Sequence, residues 1–161
     1  MDPFYADYLL SLNEIHDEVR KAIHGLSPDQ LDWSSGPEMN SVTVMIIHLI
    51  GAERYWIGDV VRGESSGRDR EAEFLARGLS EADLVSRLAM IEAYAQEALT
   101  AMSVSELQEQ RISPRNGREV SVGWALCHAL KHTALHAGHI QMTHQLWEQK
   151  SVTSKSKAVK E

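Results

Sequence analysis

Apolar residues recur every three or four positions along four long stretches of this chain, while strand-like alternation is scarce. In the first stretch Tyr8, Leu9, Leu12, Ile15, Val19, Ala22, Ile23 and Leu26 form one stripe on a helix over residues 4–26. Asp2 and Pro3 supply its cap and first-turn proline, and Gly25 its stop. Ser27-Pro28-Asp29-Gln30 repeats the start signal as a capping box, which predicts a short turn before Ser34-Ser35-Gly36-Pro37. Asn40 or Ser41 caps a second helix that runs to about Arg62 and stops at Gly63. Residues 64–79 carry Gly, Ser and dense charge, a long connection with a helical turn near Phe74. Ser80-Glu81-Ala82-Asp83 opens a third helix striped by Leu84, Leu88, Ile91, Ala95, Leu99 and Met102. The turn Pro114-Arg115-Asn116-Gly117 falls between two short extended pieces, and Ser121 opens a fourth helix through about Gln149.

Four long amphipathic helices with no other element of size predict an all-α four-helix bundle, and its two long connections leave room for a crossover. Residues 1–149 read as one domain and residues 150–161, rich in Ser and Lys without periodicity, as a flexible polar tail. A length of 161 residues and a hydrophobic share of 43% fit a single globular unit. The formal charge of -7 disfavours a protein that neutralises nucleic-acid phosphates. No apolar run approaches the ~18–20 residues of a membrane span, and no signal-peptide pattern opens the chain. One cysteine, Cys127, excludes an internal disulfide and fits a reducing cytoplasm.

Histidine is over-represented: 8 copies, five of them between His128 and His144. Relative to His132, a helix places His128 at about -40°, His136 at about +40° and His139 at about -20°. Ala125, Leu135, Met142 and Leu146 flank that side, which predicts that it faces the bundle interior. An unsatisfied interior imidazole costs about 1–3 kcal/mol, so hydrogen-bond partners, ordered water or a metal ion must meet these rings. One helical turn separates both His128 from His132 and His132 from His136, a spacing at which two imidazoles grip one ion. His48 stands in the apolar run Val44-Met45-Ile46-Ile47-His48-Leu49-Ile50 and is the third donor from another helix. Two readings stay open at this point: core histidines bonded to backbone and carboxylates, or a metal site with open positions. His16 and His24 read as polar residues at the edge or surface of the first helix, and His144 lies two turns past the cluster.

The segments Gly25-Leu26-Ser27-Pro28-Asp29-Gln30-Leu31-Asp32-Trp33, Ser41 to Leu49 with Trp56, and His132 to Ile140 resemble the DinB-like superfamily. That superfamily of four-helix metalloproteins includes thiol-dependent S-transferases and mycothiol-dependent maleylpyruvate isomerase. The resemblance implies that His48, His132 and His136 bind a divalent transition metal, commonly zinc or nickel. Many relatives carry Gln in place of His139, which leaves His128 and His139 as contacts around the ligands or as alternative ligands. Mycothiol-type relatives tend to carry Glu at the place of His132, so the all-histidine set resembles the other branches. A small-molecule substrate and a homodimer are also implied.

The chemistry that follows is a transferase activating a low-molecular-weight thiol, since coordination lowers a thiol pKa from ~8.5 and provides thiolate at neutral pH. A hydrolase using metal hydroxide is the alternative, and a metal-stapled bundle or binding module is the non-catalytic one. Residues 132–136 read HTALH, without the Glu a zincin places after its first histidine, so the motif contains no general base. Tyr55 and Asp59 lie about 20° to either side of His48 and read as a packed phenol with a satisfied hydroxyl and a solvated carboxylate. Cys127 points about 100° away from His128 and reads as a packing residue, as do the four tryptophans. Gly51 and Gly138 interrupt helices at ~1 kcal/mol each relative to Ala, which close approach of a neighbouring helix would explain.

Overall fold

The computed structural model describes residues 1–158, with side chains through Ser151. Helices α1 (Pro3–Ile23), α3 (Val42–Glu53), α5 (Glu81–Thr100) and α6 (Val122–Ala158) form the bundle. Short helices α2 (Pro28–Leu31) and α4 (Arg70–Glu73) lie in the connections, the second where a helical turn is expected. The capping signals behave as read. Asp2 accepts from Phe4 N, Ser41 from Val44 N, and Ser121 from Trp124 N at 3.1 Å, while Ser27 and Ser80 each close a capping box. Gly25 and Gly63 adopt positive φ angles of 77° and 69° after their helices, a conformation that favours glycine.

The connections carry the crossover for which their length leaves room. Helix α1 packs chiefly on α5 and α6, and α3 packs on the same two, so α1 and α3 sit diagonally across the bundle. Strands β1 (Gln110–Ile112) and β2 (Glu119–Ser121) form an antiparallel hairpin with Arg111 opposite Val120, joined by the expected Pro-Arg-Asn-Gly turn. Two features go beyond the sequence pattern. The second helix continues from Arg54 to Arg62 as a π-helix, whose wider turn shifts the direction of every later side chain. Helix α6 runs past Gln149 to Ala158, because residues 150–158 contain no Gly or Pro to stop propagation. Residues 159–161 of the expected tail lie outside the described residues.

The core has two apolar clusters. One gathers Tyr5, Leu12, Ile57, Leu99 and Leu126, the other Val19, Ile46, Leu49, Leu88 and Ile140. Between them lies a polar layer to which each long helix contributes one residue: His16, Glu53, Glu92 and Thr133. His16 Nε2 bonds Glu53 Oε1 at 2.8 Å, its Nδ1 bonds Glu92 at 2.9 Å, and the Thr133 hydroxyl donates to Glu53 Oε1 at 2.7 Å. Arg20 donates to the other Glu92 oxygen. His16 is fully buried, which corrects its expected place at the helix edge. It stands four residues after Leu12 and three before Val19, on the apolar stripe itself. Burial opposes its charge, yet hydrogen bonds donated to the Glu53 and Glu92 carboxylates raise its pKa. His24 is exposed as expected and meets Glu81.

Candidate metal centre

Helices α3 and α6 pack against each other and bring three imidazoles to one point. The ligand nitrogens of His48, His132 and His136 all lie within 4.8 Å of one another. Ring centroids are 5.1 Å apart from His48 to each partner and 4.5 Å between His132 and His136. Among the described residues no other His, Cys, Asp or Glu joins the set. His128 stands one turn back with its ring 6.2 Å from His132, stacked on Trp124 and tilted against Trp56. His139 is exposed and meets only the outer edge of His136, at 5.7 Å. Of the two one-turn pairs of α6, it is His132 and His136 that meet His48.

Helix α6 is turned about a quarter revolution from the expected orientation. Its buried positions are Leu126, Ala129, Thr133, Ala137 and Ile140, centred about 100° from His132. Leu135, Met142 and Leu146, expected in the interior, are 56%, 61% and 41% exposed. The histidines thus line the border between core and solvent, where a small molecule can reach them.

A feature invisible in the sequence pattern holds the site. Glu73 on α4 is buried and accepts from His48 Nδ1 at 2.9 Å. Arg68 grips the same carboxylate with both arms, Nε at 2.5 Å and Nη2 at 2.8 Å. With Nδ1 donating to Glu73, His48 keeps its Nε2 lone pair free for a ligand. Burial opposes the Glu73 charge, but the Arg68 and His48 hydrogen bonds outweigh it and hold its pKa below the usual carboxylate range. Gly51 explains how the carboxylate fits: a Cβ there would lie 2.0 Å from Glu73 Oε1 and 2.8 Å from its Cδ. Close approach thus accounts for Gly51, though the neighbour is a side chain of α4 and not a long helix. It does not account for Gly138, where an added Cβ meets nothing within 4 Å. Phe74 covers the ring of His48 at 4.9 Å and is itself capped by the Arg70 guanidinium.

The remaining electrostatics favour coordination. Burial and the imidazoles of His136 and His48 push His132 down to about 3, and burial with His48 and His139 pushes His136 down to about 4. Burial, helped by Lys131 and Arg118, also lowers His128. These rings are neutral at pH 7 and need lose no proton to ligate an ion. The Nδ1 atoms of His128, His132 and His136 are buried without a hydrogen-bond partner, a set of orphans each costing about 1–3 kcal/mol. Three imidazole nitrogen donors, two of them on rings with an orphaned Nδ1, fit a borderline-soft divalent ion.

Other candidates resolve differently. Tyr55 packs with its hydroxyl satisfied by Ser113 at 2.6 Å, as expected. Asp59 is no solvated carboxylate: it accepts from Ser66 N and Oγ, both at 3.0 Å, and from Arg54. The angular reading of both residues assumed α geometry, which ends at Glu53. Cys127 is exposed, not packed. Trp56 and Trp124 form an aromatic wall around His128, while Trp33 and Trp147 pair with each other at 5.5 Å.

A four-helix bundle carrying a three-histidine cluster, one ring from the second long helix and two from the last, defines the class of the protein. A family model described as mycothiol S-transferase matches residues 9–149, and the chain belongs to that family within the DinB-like superfamily. The match is to a mycothiol model although position 132 is histidine, so the expected leaning toward other branches does not hold. No curated protein matches the chain. Solved structures share the fold at low identity. A conserved protein from Enterococcus faecalis is 14% identical, with 91% of this chain and 98% of that one covered at a TM-score of 0.75. YfiT from Bacillus subtilis, described as "a probable metal-dependent hydrolase with an unusual four-helix bundle topology", is 13% identical, covering 92% and 90% at 0.73. A mutant of mycothiol-dependent maleylpyruvate isomerase is 13% identical, covering 85% of this chain and 62% of that one at 0.60.

Proposed function

We propose that this chain is a divalent-metal-dependent transferase that joins a low-molecular-weight thiol to an electrophilic small molecule, with His48, His132 and His136 as metal ligands. The observation that carries this is the convergence of three ligand nitrogens within 4.8 Å, one ring oriented by a buried Glu73–Arg68 pair. Zinc or nickel held there would lower the pKa of a bound thiol and so supply thiolate at neutral pH. The protein's own residues do the rest. Glu73 fixes the tautomer and direction of His48, and Arg68 keeps Glu73 ionised. Phe74 on His48, and Trp56 and Trp124 on His128, offer flat apolar surfaces to a substrate. His128, neutral at pH 7, is a proton acceptor beside the ligands. The mycothiol family model supports a thiol cosubstrate, and a reducing cytoplasm would keep such a thiol available.

The test has two readouts. Elemental analysis of purified protein is expected to give about one equivalent of transition metal, largely lost in His48→Ala. The metal-loaded protein is expected to conjugate a thiol to a fluorogenic electrophile, with the variant near background. Ester hydrolysis without thiol consumption would select the hydrolase reading. A chain that binds no metal, or unfolds on chelation and turns over neither substrate, would overturn catalysis.

A further inference from the structure

A cavity of about 390 Å³ opens beside the histidine cluster, lined by Tyr55, Asp59, Pro114 and three arginines, Arg68, Arg70 and Arg115. It shares a wall with the candidate centre, because Arg68 faces the cavity and also places its Nη2 3.5 Å from His48 Nδ1. The elements that build it come together only in the fold: the π-helical segment, the loop before α4, and the hairpin turn.

The charges in this cavity are not balanced. Arg68 is matched by Glu73, and Asp59 is held by Arg54 and Ser66. Arg70 and Arg115 then remain, with no ion pair to a carboxylate among the described residues. Arg70 lies over the face of Phe74 at 4.7 Å, a contact that occupies none of its N–H groups with a carboxylate. The backbone N–H of Arg115 donates to Tyr55 Oη at 3.2 Å, so the turn that carries the side chain is anchored to the cavity wall. In a chain of net charge -7, two unpaired guanidinium groups facing one cavity are a local reversal of sign.

We infer that this cavity is an anion subsite in which Arg70 and Arg115 hold a carboxylate or phosphate group of the small-molecule substrate while its reactive carbon lies toward the histidine cluster. The inference deepens the transferase reading and rests on it for the identity of the reaction, though not for the binding itself. Guanidinium groups match the oxygens of either anion in two parallel hydrogen bonds, and removing one such charged bond weakens binding about tenfold or more. Tyr55 and Pro114 supply the apolar surface for the carbon skeleton attached to the anion.

Calorimetric titration of the zinc-loaded protein with succinate and, separately, with inorganic phosphate tests the subsite. At least one anion is expected to bind. Arg70→Gln and Arg115→Gln should each weaken it about tenfold, and the metal-free wild-type protein should bind it within about twofold of the zinc-loaded one. Whichever anion binds tighter identifies the group. Both arginines are exposed, so the variants are expected to fold, with unchanged circular dichroism as the check. Failure of both anions to bind, binding unchanged in the arginine variants, or a loss that follows removal of zinc instead would overturn the subsite. A second readout is the KM of a carboxylate-bearing electrophile against its neutral amide, whose ratio should collapse in Arg115→Gln. Succinate or phosphate binding without thiol transfer would refute the transferase reading alone. Thiol transfer without any anion preference would refute the subsite alone.

Discussion

Replacing Gly51 and Gly138 by alanine, one at a time, should move stability in opposite directions. Both glycines lie in helices without a positive φ, so intrinsic propensity alone favours alanine by about 1 kcal/mol at each. At Gly138 nothing lies within 4 Å of the added Cβ, and the gain should be realised almost in full. At Gly51 the Cβ would lie 2.0 Å from Glu73 Oε1, so that oxygen must retreat by more than ~1 Å to reach ordinary contact. Oε1 accepts from Arg68 Nε at 2.5 Å, and Oε2 of the same carboxylate is held by Arg68 Nη2 at 2.8 Å and His48 at 2.9 Å, which leaves no slack for such a shift. Loosening a buried, hydrogen-bonded charge of this kind costs about 2–4 kcal/mol. The net expectation is therefore a loss of about 1–3 kcal/mol for Gly51→Ala and a gain approaching 1 kcal/mol for Gly138→Ala. Zinc affinity gives the second signal, because partners that orient a ligating histidine contribute about 10- to 100-fold. Urea unfolding in the presence of chelator measures the first effect, and competition with a chromophoric chelator the second. If Gly51→Ala proved as stabilising as Gly138→Ala and left zinc affinity unchanged, the role given to Glu73 would be wrong.

Three further outcomes follow from the same structure. His132 and His136 are depressed to about 3 and about 4, so between those values and the unfolded value near 6.5 the unfolded chain binds more protons. Stability of the metal-free protein should then fall as pH drops from 6.5 toward 4, and a His132→Gln, His136→Gln double variant should flatten that slope in urea titrations. His16 carries the opposite sign. Its folded pKa is raised, so its stabilisation is complete below about 6.5 and lost as pH rises through the folded value. His16→Gln should therefore destabilise more at pH 6 than at pH 9, and equal losses at both would argue against a charged His16. Cys127 is exposed and outside the ligand set, so Cys127→Ser should shift stability by less than about 0.5 kcal/mol and leave zinc stoichiometry intact. Loss of metal in that variant would contradict the three-histidine assignment.

The sequence by itself determined the four long helices, their caps at Asp2, Ser41, Ser80 and Ser121, and the presence of three histidines that could converge. Periodicity and capping are local properties, carried by residues three or four apart, and they survive in the fold unchanged. The polar layer was also written there: His16, Glu53, Glu92 and Thr133 each stand among the apolar positions that their helix turns inward. Which one-turn pair of α6 meets His48 was decided by the rotation of that helix about its axis, which depends on the neighbours it packs against. Glu73 and Arg68 come from a connection without periodicity, and only the folding of that connection across Gly51 places them on His48. The arginine-lined cavity joins three segments distant in sequence and had no linear signature at all. Local spacing encodes helices; a site between helices is set by how they and their loops pack, and that information resides in the tertiary structure.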